Sequence, residues 1–215
     1  MQPELTQLTR EKLAAASDPV QYARSQAPDI EDIHLSRDAV ETISKFADVL
    51  EYPDEGWHGR LARLCREMSP ESATAKSLSG FYGKMQKMPL IPVQELYAQS
   101  FDLNPNCALE IGYHLFGEDY KRGAFLANLR EAEEPFDIGQ EQQLPDYLPV
   151  LLRLLTKLDD DALRGSLTGH CLVPGVDKII SAFKDENPFA ELMKAILAGL
   201  KEALENAHQP VVVFD

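Results

Sequence analysis

The sequence predicts an all-α protein, a single-domain bundle of roughly ten helices. Apolar residues recur at steps of three and four in nearly every patterned segment, which is the spacing of an amphipathic helix. Prolines, glycines and capping side chains fall between these segments, where helices begin and end. The 215 residues are enough for one domain with a substantial core. Helices of this length are marginal in water, so their apolar faces must pack against one another.

The first half of the chain carries clear helix boundaries. Ser36 and Ser69 are suitable N-cap residues, and Pro70 fits a first helical position. Pro53 ends the helix that follows Ser36, and the proline-bearing run 88–92 predicts a rigid connector. The helices expected in this half cover residues 5–16, 36–50, 57–68, 70–85, 93–101 and 106–116.

The second half continues the helical pattern around a polar loop at residues 135–143. Only residues 211–214 resemble a strand. We divide the chain into an N-terminal extension (residues 1–35, partly helical), an all-helical domain (residues 36–206) and a C-terminal tail (residues 207–215). The helices expected in this half cover residues 118–134, 144–158, 159–167, 176–184 and 188–206.

The start of the leucine-rich helix at 144–158 is unusual. Pro145 suits the first helical position, where its missing N–H costs nothing. Pro149 lies four residues later and cannot donate to the carbonyl of Pro145. Asp146 places a carboxylate beside the unpaired N–H groups of this turn, either as an ordinary helix-start carboxylate or as a binding group. An acidic turn that lies between two prolines and also carries Tyr147 indicates a ligand-binding surface.

The chain is strongly acidic, with 21 basic and 35 acidic residues and a net charge of −14. Such a surface repels nucleic acids and anionic membranes and attracts cationic partners, although acidity also serves solubility alone. The three cysteines, Cys65, Cys107 and Cys171, are far apart and predict neither disulfides nor a zinc site. No signal peptide and no membrane-spanning run are expected, so we predict a cytoplasmic protein without direct membrane insertion.

The sequence does not indicate an enzyme. The acidic run 159–161 fits a helix N-cap cluster better than a metal site. His170 and Cys171 are adjacent and therefore point in different directions, which disfavours a catalytic pair. No glycine-rich phosphate loop is present. We expect no catalytic residue, no metal and no resident cofactor.

Side chains suited to binding lie between residues 97 and 122. Tyr97 and Phe101 project from one side of a helix. Phe101 fits ordinary core packing, whereas the Tyr97 hydroxyl needs a partner and could line a groove. His114 lies near a helix C-terminus, where a cation is stabilised, but fits an ordinary surface or hydrogen-bonded histidine equally well. Glu118 and Arg122 have the i,i+4 spacing of an ion pair.

Four short motifs occur in order along the chain. They are Leu50-Glu51-Tyr52-Pro53-Asp54, an aromatic-x-x-x-Phe-Asp element at 97–102, a His-x-x-Gly-Glu…Lys-Arg-Gly element at 114–123, and Leu144-Pro145-Asp146-Tyr147-Leu148-Pro149. Together they resemble the nitrate reductase delta-subunit family, the dedicated assembly chaperones of molybdenum oxidoreductases. This family includes chaperones for dimethyl sulfoxide and trimethylamine N-oxide reductases, and its members are single-domain all-α proteins. The resemblance covers roughly residues 38–215.

The resemblance implies a system-specific cytoplasmic chaperone. Its partner would be the N-terminal segment of an apo molybdenum oxidoreductase catalytic subunit, a twin-arginine leader or its vestige, with a nitrate reductase-like client favoured. It would assist molybdopterin cofactor insertion before membrane attachment or export. The alternative is a helical adaptor that binds an amphipathic or basic peptide of an unrelated partner.

The resemblance also implies a peptide-binding site. Asp146 would bind an arginine of the peptide, because carboxylates hold guanidinium groups with defined geometry. Many family members carry His where this chain has Tyr147. The resemblance therefore implies an aromatic contact at that position. The residues expected in the site are Tyr97, Phe101, His114, Glu118, Arg122, Pro145, Asp146, Tyr147 and Pro149.

Overall fold

The computed structural model describes residues 33–184 and 186–207. Within these ranges the ordered elements are helices and no strand is formed, which confirms the all-α prediction for this part of the chain. The helix expected at 5–16 and the strand-like run at 211–214 lie outside the described residues. The α-helices are α1 (Arg37–Ser44), α2 (Ala47–Leu50), α3 (Trp57–Glu67), α4 (Ala73–Met85), α5 (Leu90–Tyr97), α6 (Ile111–Phe116), α7 (Tyr120–Glu133), α8 (Leu148–Leu155), α9 (Asp161–Ser166), α10 (Val173–Ala182) and α11 (Pro188–Ala207).

The core is built around α11, which packs against α1, α4 and α10. Phe189 at the start of α11 contacts Phe81 of α4, with ring centroids 5.4 Å apart. Trp57 also packs against Phe81, with ring centroids 6.0 Å apart, and donates from Nε1 to the carbonyl of Val49 at 2.9 Å. Such ring pairs contribute about 0.5–1.5 kcal/mol each beyond simple burial.

None of the helices in the described ranges is both long and apolar enough to cross a bilayer.

Several helix boundaries differ from those expected. The helix expected at 36–50 is capped by Ser36 as predicted but breaks after Ser44 into α1 and α2. α4 begins at Ala73 rather than at residue 70, because the Ser72 hydroxyl accepts from the N–H of Ala75 at 3.0 Å and caps the helix there. The carboxylate of Glu202, on α11, accepts from the N–H of Ala73 at 2.6 Å and reinforces this start.

Two further differences involve proline. α5 begins at Leu90, inside the expected connector, because Pro92 falls in the first turn, where its missing N–H is not needed. The gap expected at residues 168–175 is helical. A π-helical turn, Leu167–Leu172, leads directly into α10, where Pro174 occupies the first turn. A second π-helical turn, Ala98–Asp102, continues α5.

The segment that leads into α1 is fastened to α9. The buried guanidinium of Arg164 donates from Nε to the carbonyl of Leu35 at 2.6 Å, and it also contacts the carbonyl of Leu158 and the carboxylate of Asp161. The N–H of Leu35 donates to the carbonyl of Asp161 at 3.0 Å. The expected acidic N-cap is confirmed in the same region, since the Asp160 side chain accepts from the first turn of α9.

Candidate functional site

The turn before α8 is held by backbone pairing with a distant segment. The N–H of Ile111 donates to the carbonyl of Asp146, and the N–H of Leu148 donates to the carbonyl of Leu109, each at 2.8 Å. Glu110 and Tyr147 thereby form an isolated antiparallel bridge. The helix consequently begins at Leu148 instead of residue 144, and residues 144–147 form a turn rather than the first turn of the helix.

Proline explains part of this shift. With α8 beginning at Leu148, Pro149 lies within the first turn, where a residue without an N–H is tolerated. Pro145 lies outside the helix, in the turn, and both prolines are buried. The two prolines therefore bracket a buried turn that presents Asp146 and Tyr147 to neighbouring elements.

Asp146 is completely buried and pairs with Arg122 of α7. Both Nε and Nη2 of Arg122 donate to the same oxygen, Oδ2, at 3.1 and 3.0 Å. The other oxygen, Oδ1, has no hydrogen-bond partner among the described residues. Gly112 permits this approach, since a Cβ at that position would lie 2.6 Å from Oδ2. The i,i+4 spacing of Glu118 and Arg122 suggested a different pair, but Arg122 directs its guanidinium at Asp146.

The electrostatics of this cluster follow from its burial. Burial raises the pKa of Asp146, while the charge and hydrogen bonds of Arg122 act in the opposite direction. The Arg122 guanidinium also lies over the ring of Tyr113, with Cζ 5.7 Å from the ring centroid. Asp146 therefore has a cationic partner inside the protein, and that partner is itself held by an aromatic face.

His114 lies at the end of α6, close to this cluster. Its Nε2 donates to the carbonyl of Ala108 at 2.6 Å, which fixes the proton on that nitrogen. Burial lowers the pKa of His114, and the positive charge of Lys178 acts in the same direction. The structure therefore favours a neutral, hydrogen-bonded imidazole at this helix end.

Tyr97 and Tyr147 meet through their hydroxyl groups. The Tyr97 hydroxyl donates to the carbonyl of Leu50 at 2.7 Å and accepts from the Tyr147 hydroxyl at 3.1 Å. Burial raises the pKa of both phenols, so both remain protonated. The Tyr97 ring contacts Phe101 at 5.0 Å and Tyr52 at 5.5 Å. The interpretation of Phe101 as a core residue is confirmed, since it is 3% exposed.

Carboxylates from separate segments lie close enough to Tyr147 to influence its hydroxyl electrostatically. Glu51, Glu110 and Asp102 all act on it electrostatically and contribute to its raised pKa. Burial raises the pKa of Glu110 and of Asp102, and the negative charge of Asp146 raises that of Glu110 further. Glu51 and Asp102 belong to motifs that the sequence singles out, but Glu110 does not, and its position next to Tyr147 depends on the backbone bridge.

Exposed apolar side chains flank this acidic region. Tyr52, Leu103 and Leu144 are 52%, 76% and 44% exposed. Tyr52 touches Tyr97, Leu103 follows Asp102, and Leu144 begins the turn that ends at Tyr147. We call the surface formed by Tyr52, Asp102, Leu103, Glu110 and Leu144, above the buried Tyr147, the acidic–aromatic face.

The structure therefore brings most of the expected site residues into one region, but not on one open surface. The expected site residues that are buried in this region are Tyr97, Phe101, Pro145, Asp146, Tyr147 and Pro149. Arg122 and His114 are half-buried beside it. Glu118 is exposed between α6 and α7, before the Asp119 N-cap of α7.

Comparison with known proteins gives two informative likenesses. The chain is 28% identical over 178 residues to the "Probable nitrate reductase molybdenum cofactor assembly chaperone NarJ" of Bacillus subtilis (strain 168), which spans 78% of this chain and 95% of that protein. It is 29% identical over 122 residues to the "Probable nitrate reductase molybdenum cofactor assembly chaperone NarW" of Escherichia coli (strain K12), which spans 55% of this chain and 51% of that protein. No family model matches the chain.

Both relatives are named as assembly chaperones. At modest identity, they support the resemblance to nitrate reductase chaperones that the sequence motifs indicate. The wider link to chaperones of dimethyl sulfoxide and trimethylamine N-oxide reductases stays a prediction. The names of these relatives describe assembly chaperones rather than catalysts.

Proposed function

We propose that this protein is a dedicated assembly chaperone of a molybdenum oxidoreductase, with a nitrate reductase-like client. The observation that carries the proposal is the likeness to the Bacillus subtilis protein, because it extends over 95% of that protein rather than over one motif. The all-α fold, expected from the sequence and found in the described residues, agrees with this family resemblance.

The client segment that we propose is the N-terminal part of the apo catalytic subunit, a basic or twin-arginine-like peptide. The acidic–aromatic face offers exposed Tyr52, Leu103 and Leu144 for apolar burial. Glu51 and Asp102 directly precede Tyr52 and Leu103 in the sequence, and the whole chain carries a net charge of −14. An amphipathic peptide with basic side chains is complementary to both properties.

The mechanism is stoichiometric binding in the cytoplasm, not catalysis. The chaperone binds the apo subunit more tightly than the mature subunit, and this difference in affinity shifts the client towards the form that can accept molybdopterin cofactor. The cofactor belongs to the client and supplies the redox chemistry there. When the client folds around its cofactor, the bound segment is withdrawn, the chaperone dissociates, and membrane attachment or export can follow.

Deletion of the gene, followed by purification of the reductase catalytic subunit, tests the proposal. We expect the subunit to accumulate with little molybdenum, and expression of the wild-type chain to restore its metal content. A second molybdenum enzyme from the same cells should remain loaded, which excludes a general loss of cofactor synthesis. A fully loaded reductase in the deletion strain would contradict the proposal and favour the adaptor alternative.

A further inference from the structure

A basic client side chain needs a carboxylate that is accessible and not already paired. The carboxylates whose charge acts on the Tyr147 hydroxyl belong to Glu51, Asp102 and Glu110, and the charge of Asp146 acts on Glu110. Their surroundings differ, and these differences determine which of them can bind an arginine.

Two of these carboxylates already hold an internal arginine. Asp146 has no exposed surface and pairs with Arg122, so a client guanidinium would have to displace that residue. Glu51 accepts from Nη1 of Arg153 at 2.7 Å. Displacing Arg122 from Asp146 would leave a half-buried cation uncompensated, which is costly. A client arginine at Glu51 would have to compete with Arg153, which is also held by Asp48 at 3.0 Å.

The remaining two carboxylates differ in burial. Asp102 is exposed, and ion pairs at exposed positions contribute little because water screens them. Glu110 is half-buried and forms no ion pair with a described residue, although the charge of Arg122, which pairs with Asp146, acts to lower its pKa. It has an extended backbone between two buried apolar residues, Leu109 and Ile111, and it pairs across the bridge with Tyr147.

We propose that Glu110 is the residue that binds an arginine of the client segment, and that Asp146 and Arg122 act as positioning residues for it. The inference rests on the proposed chaperone function. The Asp146–Arg122 pair fixes the turn at 145–148, and the backbone bridge to that turn fixes Glu110 in place. A guanidinium bound to Glu110 would pair with a half-buried carboxylate in a fixed orientation, where hydrogen bonds to charged groups contribute most.

The assignment can be tested by calorimetric titration of the N-terminal peptide of the catalytic subunit from the same organism. Each arginine of the peptide is replaced in turn by citrulline, which keeps the shape and removes the charge. We expect one citrulline peptide to bind wild-type protein about tenfold more weakly than the parent peptide. Glu110→Gln should remove this difference between the two peptides. Glu71→Gln, at an exposed acidic position between α3 and α4, is the matched control and should preserve it.

Asp146→Asn separates the two roles. If Asp146 is a positioning residue, this substitution should weaken the binding of the parent and citrulline peptides by the same factor. The ratio of their dissociation constants should then stay near the wild-type value. If Glu110→Gln preserves the difference in affinity between the two peptides and Asp146→Asn abolishes it, Asp146 binds the arginine. The inference is then wrong, while the proposed chaperone function stands. Equal binding of all peptides to the wild-type protein would also overturn the inference. Failure of the wild-type protein to bind the parent peptide would overturn the inference together with the proposed client segment.

Discussion

Arg122 and Asp146, which lie 24 positions apart in sequence, form an ion pair with one fully buried partner. The side chain of Arg122 is 21% exposed, whereas that of Asp146 has no exposed surface. Because the backbone of Asp146 also pairs with Ile111, the contact joins the start of α7, the start of α6 and the turn before α8. These two contacts hold Glu110 of the acidic–aromatic face beside Tyr147, which is buried beneath that face.

Arg122→Gln should lower the free energy of unfolding at neutral pH by about 1–3 kcal/mol, because it leaves Asp146 buried without its cation. Burial already raises the pKa of Asp146 in the folded protein, and loss of Arg122 should raise it further. A carboxyl group whose pKa is higher in the folded than in the unfolded chain favours the folded state at acidic pH, and this contribution is lost as the pH rises through the folded value.

The destabilisation caused by Arg122→Gln should therefore shrink as the pH falls from neutral towards the ordinary carboxyl range. Urea unfolding of the variant and the wild-type protein at both pH values measures this change. A destabilisation that is the same at both pH values would contradict the predicted rise in the pKa of Asp146 on loss of Arg122.

Gly112→Ala should destabilise the protein by about 1–3 kcal/mol, the usual range for an overpacked site. The added Cβ would lie 2.6 Å from Oδ2 of Asp146 and 3.0 Å from a ring carbon of Phe125. Gly123→Ala on α7 is the matched control, since a Cβ there meets no neighbour within 4 Å. The control should be neutral or slightly stabilising, because alanine favours helix. Equal thermal midpoints for the two variants would contradict the close approach of Gly112 to Asp146.

Tyr97→Phe should destabilise the protein more than Tyr147→Phe does. The Tyr97 hydroxyl takes part in two hydrogen bonds, to the carbonyl of Leu50 and from the Tyr147 hydroxyl, whereas one is described for Tyr147. A typical hydrogen bond contributes about 0.5–1.5 kcal/mol, so the two variants should differ by roughly that amount. Chemical denaturation of both variants provides the comparison. A larger loss for Tyr147→Phe would reverse the order that the structure assigns.

Arg164→Met should destabilise the protein by at least about 1.5–3 kcal/mol, because it removes charge-assisted hydrogen bonds from a buried site. It should also release the backbone of residues 33–36, whose hydrogen exchange would increase. Arg37→Met is the control, since Arg37 forms an exposed ion pair with Asp159. The side chains of Arg37 and Asp159 are 54% and 72% exposed. Exposed pairs contribute less than about 1 kcal/mol. Unchanged exchange at residues 33–36 in Arg164→Met would contradict the fastening of this segment to α9.

The sequence was sufficient to predict those features that depend on local signals. The cap at Ser36, the helix from Trp57 and the long helix from Pro188 are found where their capping and proline signals place them. The predicted start of α8 was wrong, because Pro145 and Pro149 are equally acceptable as early helical residues when only the local pattern is considered. Backbone pairing with residues 109–111, a tertiary contact, decides between them.

The candidate site was predicted only in part for the same reason. Asp146 and Tyr147 stood out because a carboxylate next to an aromatic residue, between two prolines, is unusual. Their partners did not, since the pairing of Arg122 with Asp146 and the position of Glu110 next to Tyr147 require segments to meet in space. The i,i+4 rule pointed Arg122 towards Glu118, but the buried carboxylate is the partner that it contacts.

The most direct test of the chaperone function is a binding measurement with the purified catalytic subunit of the reductase in three forms: apo, apo without its N-terminal segment, and loaded with molybdenum cofactor. We expect the protein to form a stable complex with the intact apo subunit, and to bind the truncated and the loaded subunits much more weakly. Equal binding of the apo and loaded subunits, or no binding of the intact apo subunit, would contradict the account.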